Sequence, residues 1–262
     1  MDRYVRWADR MLPGRVVGVY VVGSTALGAY RVGRSDLDVV MVLDRPVPLR
    51  RLRALHAVSW PGAAARAWAR GQVWIPGNVN AVYVEAGDLA RPVTTIVPVA
   101  SHTGLLFVVG KGFDVNPVMW KVLAERGIAV RGDEPGALGL DPEPGVLKDW
   151  NLGNLDSYWG SWAADLRAGR GQWWRTSGWT LAWGALGAPR LHCTIATGEV
   201  VSKEAAGEYA LATFGDEWRP VVEEGLAYCR GEPSPRHFRD RGQRTGATAA
   251  FVQEVVRSAH AL

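Results

Sequence analysis

The sequence predicts two architectures in one chain: an α/β domain with a mixed sheet, followed by an all-α helical bundle. Runs of β-branched residues alternate with helical patterns over the first half of the 262 residues. The composition then shifts to prolines, glycines and acids over 132–145, which is typical of a linker. Beyond it only helical periodicity remains. We therefore place the two domains at 1–140 and 141–262.

The elements of the first domain follow from periodicity and from turn-forming residues. Tyr4, Trp7, Ala8 and Met11 recur at helical spacing and predict a short amphipathic helix. Strands are predicted at 16–22, 39–43, 78–85 and 128–130, and further helices at 25–30, 49–69 with a break at 60–62, and 117–126. The first two strands are continuous apolar runs, so we expect them to be buried on both faces.

The second domain is predicted to contain helices alone. Their patterns cover 146–168, 179–196, 203–213, 216–230 and 245–261. Ser202 or the turn before it is expected to cap the third of these helices. Thirteen tryptophans are unusually many, and we expect most of them to lie in the core.

Composition and charge exclude several classes of protein. With 48% hydrophobic and 21% charged residues the chain is neither disordered nor fibrous. A net charge of +4 suits a polyanionic ligand but is too small and scattered for a nucleic-acid-binding protein. Cys193 and Cys229 match no metal or disulfide spacing and are expected to be reduced. No export signal or membrane-spanning stretch is evident, so a cytoplasmic monomer is expected.

One motif points to chemistry. Gly23-Ser24 ends the first predicted strand, and Asp36-x-Asp38 opens the second after a short helix and a turn. Side chains two apart on a strand face the same side, so the two carboxylates are presented together and favour a divalent cation. Gly23 lets the backbone approach a phosphate, and Ser24 adds a hydroxyl at a helix N-terminus.

This combination of strand, Gly-Ser, helix, turn and Ser-Asp-x-Asp resembles the nucleotidyltransferase superfamily with a DNA polymerase β-like catalytic domain. Asn116-Pro117, the block from Arg190 to Lys203 and the stretch from Trp218 to Tyr228 are similar to the streptomycin and spectinomycin adenylyltransferase family. That resemblance implies a nucleotidyltransferase domain, a helical domain and Mg²⁺ with ATP bound between them. It also implies AMP transfer to a hydroxyl of an aminoglycoside-type antibiotic.

The resemblance implies roles for individual residues. Asp36 and Asp38 correspond to the magnesium ligands, and Arg190 and Lys203 to the two basic residues that contact the ATP phosphates. The full set of nucleotide-binding positions is Gly23, Ser24, Ser35, Asn116, Arg190, Lys203 and Tyr228.

The chain departs from the family at two places. Asn80 stands where the family has a catalytic Glu, and an amide cannot accept the proton of an attacking hydroxyl. Glu85 is the nearest acid, but the odd spacing puts it on the other face of the strand. In the predicted acceptor region, Trp173 and Trp174 replace acids and would form a flat platform for a sugar, nucleoside or aromatic acceptor.

The leading prediction is an adenylyltransferase that uses Mg²⁺ and ATP to modify a small-molecule acceptor. Two alternatives remain open because of Asn80 and of the aromatic acceptor region. One is a nucleotide-binding homologue with weak or lost transfer, and the other is a nucleotidyltransferase of natural-product metabolism with a different acceptor.

Overall fold

The computed structural model describes residues 1–72, 77–170 and 177–262. The chain divides into two compact units, Met1–Pro144 and Gly145–Leu262. The first unit contains a six-stranded mixed sheet with helices, and in the second the described elements are helical. The predicted fold class is therefore confirmed.

The sheet of the first unit has the strand order β5-β4-β3-β2-β1-β6. Its central strands β2 and β3 run parallel, while the other neighbouring pairs are antiparallel. The strands are β1 Val16–Val21, β2 Leu37–Leu43, β3 Val79–Glu85, β4 Ala100–Thr103, β5 Leu106–Val109 and β6 Ile128–Arg131. The helices are α1 Asp2–Met11, α2 Gly23–Ala26, α3 Leu49–Ser59, α4 Pro61–Ala69 and α5 Pro117–Arg126.

Both faces of the central strands are covered, as their apolar runs predict. Every residue of β2 from Val39 to Leu43 is buried, so neither face of that stretch meets solvent. One face packs against α1 and α3 through a cluster that includes Leu12, Leu52 and Tyr83. Burial on both sides anchors the start of β2, where the aspartates lie.

The second unit is built around α8, a long helix that contacts α9, α10 and α11. Ser202 Oγ accepts a hydrogen bond from the N–H of Ala205, which confirms the predicted cap. The α-helices are α6 Leu147–Asn154, α7 Ser161–Arg167, α8 Gly178–Thr197, α9 Lys203–Thr213, α10 Arg219–Arg230 and α11 Arg241–Ala259. Among the helices that the structure describes, none combines the length and apolar character needed to span a membrane.

Three elements differ from the sequence prediction. The helix expected at 25–30 is the single turn α2, which is followed by Gly28 at φ +69°. The hairpin β4–β5 was not predicted, since 93–109 has no strand alternation. The helical pattern at 146–168 is divided by a π-helix at Leu155–Gly160 that joins α6 to α7.

Candidate active site

The two aspartates of the motif lie at the start of β2 and face a shared partner on β3. Asp36 immediately precedes the strand and Asp38 is its second residue. The parallel register places Asn80 opposite Asp38. Asn80 Nδ2 donates to Asp38 Oδ1 at 3.2 Å and to Asp36 Oδ2 at 3.4 Å. The structure thus brings together all three predicted catalytic positions, with the amide bridging the two carboxylates.

The other end of the Asn80 side chain is also engaged. The backbone N–H of Gly104, in the turn between β4 and β5, donates to Asn80 Oδ1 at 3.2 Å. Asn80 is 7% exposed, so both ends of the amide are held in a nearly closed environment. Glu85 lies at the opposite end of β3, and the β2–β3 register contains no bulge that would bring it toward Asn80.

Because Gly23 has no side chain, the carboxylate of Asp38 can lie directly against its backbone. Its φ is +60°, and a Cβ at this position would lie 2.2 Å from Asp38 Oδ2. The neighbouring N–H of Val22 donates to the Asp38 carbonyl at 2.9 Å, which holds the end of β1 beside the start of β2. Only glycine satisfies both the left-handed φ and this close approach.

The two predicted serines are sequence neighbours of these residues. Ser24 follows Gly23, and Ser35 precedes Asp36. Ser24 lies within α2 and is half-buried. Ser35 Oγ accepts from the backbone N–H of Arg31 at 3.0 Å, which closes the turn that leads to Asp36. Ser35 therefore has a structural role in presenting the first aspartate.

A third carboxylate near the pair belongs to Asp114, which the sequence analysis missed. Loss of hydration and the negative charge of Asp38 raise the pKa of Asp114 from 3.8 to about 8. Asp114 lies in the segment between β5 and α5, which has no periodic pattern. The available signal is an acid two residues before Asn116, the residue that caps α5.

Both polar groups of the Asn116 side chain form hydrogen bonds at the start of α5. Its Oδ1 accepts from the N–H of Met119 at 2.9 Å, and its Nδ2 donates to the Phe113 carbonyl at 2.7 Å. These bonds make Asn116 the N-cap of α5, a helix that packs against α2. The nucleotide contact expected for Asn116 stays a prediction.

The donor set at Asp36 and Asp38 fits a magnesium ion. Mg²⁺ prefers oxygen ligands and is commonly held by one or two carboxylates together with substrate phosphates. Over the described parts of the chain, no group of three or more histidine, cysteine or acidic side chains has metal-binding geometry. A cation at this pair would therefore complete its shell with water and phosphate oxygens.

In the second unit the two predicted basic residues belong to α8 and α9, the helices that the turn at 198–202 joins. Arg190 Nε donates to the Val201 carbonyl at 3.0 Å, and Lys203 is the first residue of α9. Lys203 Nζ lies 5.0 Å from the ring centroid of Trp183. This distance is within the range of a cation–π contact.

The same unit contains an aromatic cluster on α8 and the π-helix. The rings of Trp179 and Trp183 are stacked, with centroids 5.3 Å apart, and Trp159 packs beside Trp183 at 5.6 Å. Trp183 Nε1 donates to the hydroxyl of Tyr158 at 3.0 Å.

Three other predicted site residues belong to the second half of the chain. The ring of Tyr228 packs over Gly178, where a Cβ would lie 2.8 Å from Tyr228 Cδ2. Trp173 and Trp174 lie outside the described residues, so the predicted platform stays a prediction.

Comparison with known proteins agrees with this architecture. Residues 4–63 match the nucleotidyltransferase domain family, and residues 172–255 match the family described as aminoglycoside adenylyltransferase, C-terminal domain. No curated protein sequence matches the chain. A similar solved structure is spectinomycin adenyltransferase AAD(9) from Enterococcus faecialis with ATP and spectinomycin, at TM-score 0.66 and 13% identity.

That similarity covers 98% of this chain and 97% of the other, and at this identity it shows a shared fold. The two family matches together span more than half of the chain, and one lies in each of its two units. The chain therefore belongs to the aminoglycoside adenylyltransferase family of nucleotidyltransferases and is an adenylyltransferase enzyme.

Proposed function

We propose that the protein transfers AMP from Mg²⁺-bound ATP to a hydroxyl of an aminoglycoside-type or related small-molecule acceptor. The observation that carries this proposal is the carboxylate pair Asp36–Asp38, which Asn80 bridges and in which Asp38 packs against the backbone of Gly23. We assign residues 1–140 to the nucleotidyltransferase domain and 141–262 to a helical domain for substrate and nucleotide. The similar structure of AAD(9) was determined with ATP and spectinomycin, which supports ATP as the nucleotide and an aminoglycoside-type compound as the acceptor.

The reaction breaks a phosphoanhydride bond of ATP and forms a phosphate ester with the acceptor. The acceptor oxygen forms a bond to the α-phosphorus while the bond to pyrophosphate breaks, and pyrophosphate leaves. When bound, Mg²⁺ neutralises the triphosphate and stabilises charge on the reacting phosphate. Asp36 and Asp38 would hold this ion.

The basic residues of the second unit are suited to bind phosphate groups. Arg190 offers the planar donor set of a guanidinium and Lys203 a compact ammonium, and both suit phosphate oxygens. We assign to them the binding of the triphosphate, and to Tyr228 a contact with the adenine.

The amide of Asn80 affects the rate of AMP transfer that we expect. Its Oδ1 accepts from Gly104 and its Nδ2 donates to both aspartates, so it does not remove the acceptor proton. The proton then passes to solvent. A general base contributes roughly 10²- to 10⁴-fold, and we expect a slow enzyme with hydroxyl acceptors.

The deciding experiment incubates the purified protein with Mg²⁺, ATP and a panel of acceptors. The panel contains streptomycin, spectinomycin, other aminoglycosides, nucleosides and sugar phosphates. Pyrophosphate release and mass spectrometry of the products are measured, and a product heavier by one AMP is expected. The matched control is the double variant Asp36→Asn, Asp38→Asn, which should yield no such product.

The bridging amide also favours a second candidate, a nucleotide-binding homologue that has lost transfer. In that case Mg²⁺ and ATP bind, as calorimetry would show, but no acceptor in the panel gains AMP. Absence of both binding and transfer would contradict both candidates.

A further inference from the structure

We propose that Asn80 is a positioning residue that orients Asp36 and Asp38 for a divalent cation, and that His56 on α3 sets the direction of its amide. This inference rests on the proposed function, because it takes the two aspartates as metal ligands. It assigns a function to Asn80, the residue that stands where the family has a catalytic Glu.

The first step is the pairing of the amide with the carboxylates. An amide nitrogen has two hydrogens, and Asn80 Nδ2 has one carboxylate oxygen at 3.2 Å and another at 3.4 Å. Each hydrogen can therefore serve one aspartate. The two like charges are partly offset by a neutral donor, and one oxygen of each carboxylate is held in a defined direction.

The second step is the orientation of the amide. The N–H of Gly104 can only donate, so the atom that it meets at 3.2 Å must be the oxygen of Asn80. The opposite orientation would place two donors against each other and an oxygen against two carboxylates. The Gly104 turn thus selects the orientation in which the nitrogen faces the aspartates.

The third step links this turn to α3. His56 Nε2 lies 2.9 Å from the Gly104 carbonyl oxygen, which can only accept, so Nε2 carries the hydrogen. His56 is 7% exposed, and its ring lies against that of His102 with centroids 4.8 Å apart. A buried histidine, in contact with a second ring, therefore holds the turn that orients Asn80.

Removing a residue that orients a metal ligand commonly lowers metal affinity by about 10- to 100-fold. We therefore expect Asn80→Ala to lower Mn²⁺ affinity by about 10-fold or more, and His56→Phe to produce a smaller loss of at least about twofold. Phenylalanine keeps an aromatic ring beside His102 but removes the hydrogen-bond donor. His56→Gln offers an N–H donor again and should restore most of the affinity.

The test titrates each purified variant with Mn²⁺ in the presence of a non-hydrolysable ATP analogue, followed by electron paramagnetic resonance of free Mn²⁺. Thermal melts without metal check that each variant folds. His192→Phe is the matched control, because His192 is a 1% exposed histidine of the second unit bonded to Tyr209 and Ser258. Its Mn²⁺ affinity should equal that of the wild type.

The outcomes separate this inference from the proposed function. Mn²⁺ affinity that is unchanged in both Asn80→Ala and His56→Phe overturns the inference and leaves the metal site in place. If Asn80→Ala does not fold, the comparison of His56→Phe with His56→Gln decides, and equal affinities overturn the inference. Equal Mn²⁺ binding by the wild type and by Asp36→Asn, Asp38→Asn overturns the metal assignment itself.

Discussion

The two units hold their candidate site residues by different physical means. In the first unit, Asp38 and Asn80 lie opposite each other because two buried strands pair in parallel register. In the second unit, Lys203 lies over the ring of Trp183 through a side-chain contact. A register is shared by a whole strand, whereas a side-chain contact depends on one residue. Single substitutions should therefore affect the position of Lys203 more readily than that of Asn80.

The largest effect is expected from removing the charges that the strand register presents. Asp36→Asn combined with Asp38→Asn should lower kcat/KM for AMP transfer by at least about a hundredfold, since a catalytic metal ion contributes several kcal/mol. Circular dichroism should remain that of the wild type, because asparagine matches aspartate in size. Wild-type activity in the double variant would contradict the site assignment.

A second prediction concerns Asp114 and its raised pKa. The folded protein keeps this proton to about pH 8, whereas the unfolded chain loses it near 3.8, so stability should fall as pH rises between these values. Asp114→Asn removes this effect. Without divalent cations it should raise Tm at pH 8 by about 2–4 °C or more, as expected for about 1 kcal/mol.

Scanning calorimetry at two pH values checks this prediction. The gain in Tm from Asp114→Asn should be larger at pH 8 than at pH 5, because the free energy that ionisation of this carboxyl gives the unfolded chain increases with each pH unit between its ordinary pKa and about 8. The same gain at both pH values would show that Asp114 is not a protonated carboxyl beside Asp38.

The smallest effect is expected at the aromatic support of Lys203. A cation–π contact between partly exposed groups contributes about 1 kcal/mol or somewhat less, so Trp183→Leu should raise the KM for ATP by about two- to fivefold. Trp183→Phe keeps an aromatic face and should lie close to the wild type. Steady-state kinetics of both variants, with Lys203→Ala as the reference for complete loss of the ammonium, measure the difference. Identical KM values for the leucine and phenylalanine variants would contradict a positioning role for the ring.

Short-range features of the molecule could be predicted from the sequence because their causes are local. Apolar runs mark the central strands, Ser202 caps α9, and the break at 60–62 separates α3 from α4. The Asp36–Asp38 motif was found for the same reason, since two residues at fixed spacing on one strand share a face. The sequence alone thus determined the fold class and the carboxylate pair.

The surroundings of that pair depend on contacts between distant parts of the chain. Asn80 meets Asp38 across a separation of 42 residues, and Gly104 meets Asn80 across 24. His56 reaches Gly104 across 48 residues, and Asp114 influences Asp38 from a segment without periodicity. Such contacts depend on strand order, on an unpredicted hairpin and on burial. Local spacing determines which side chains share a face, but chain topology determines which groups meet and how strongly their charges interact.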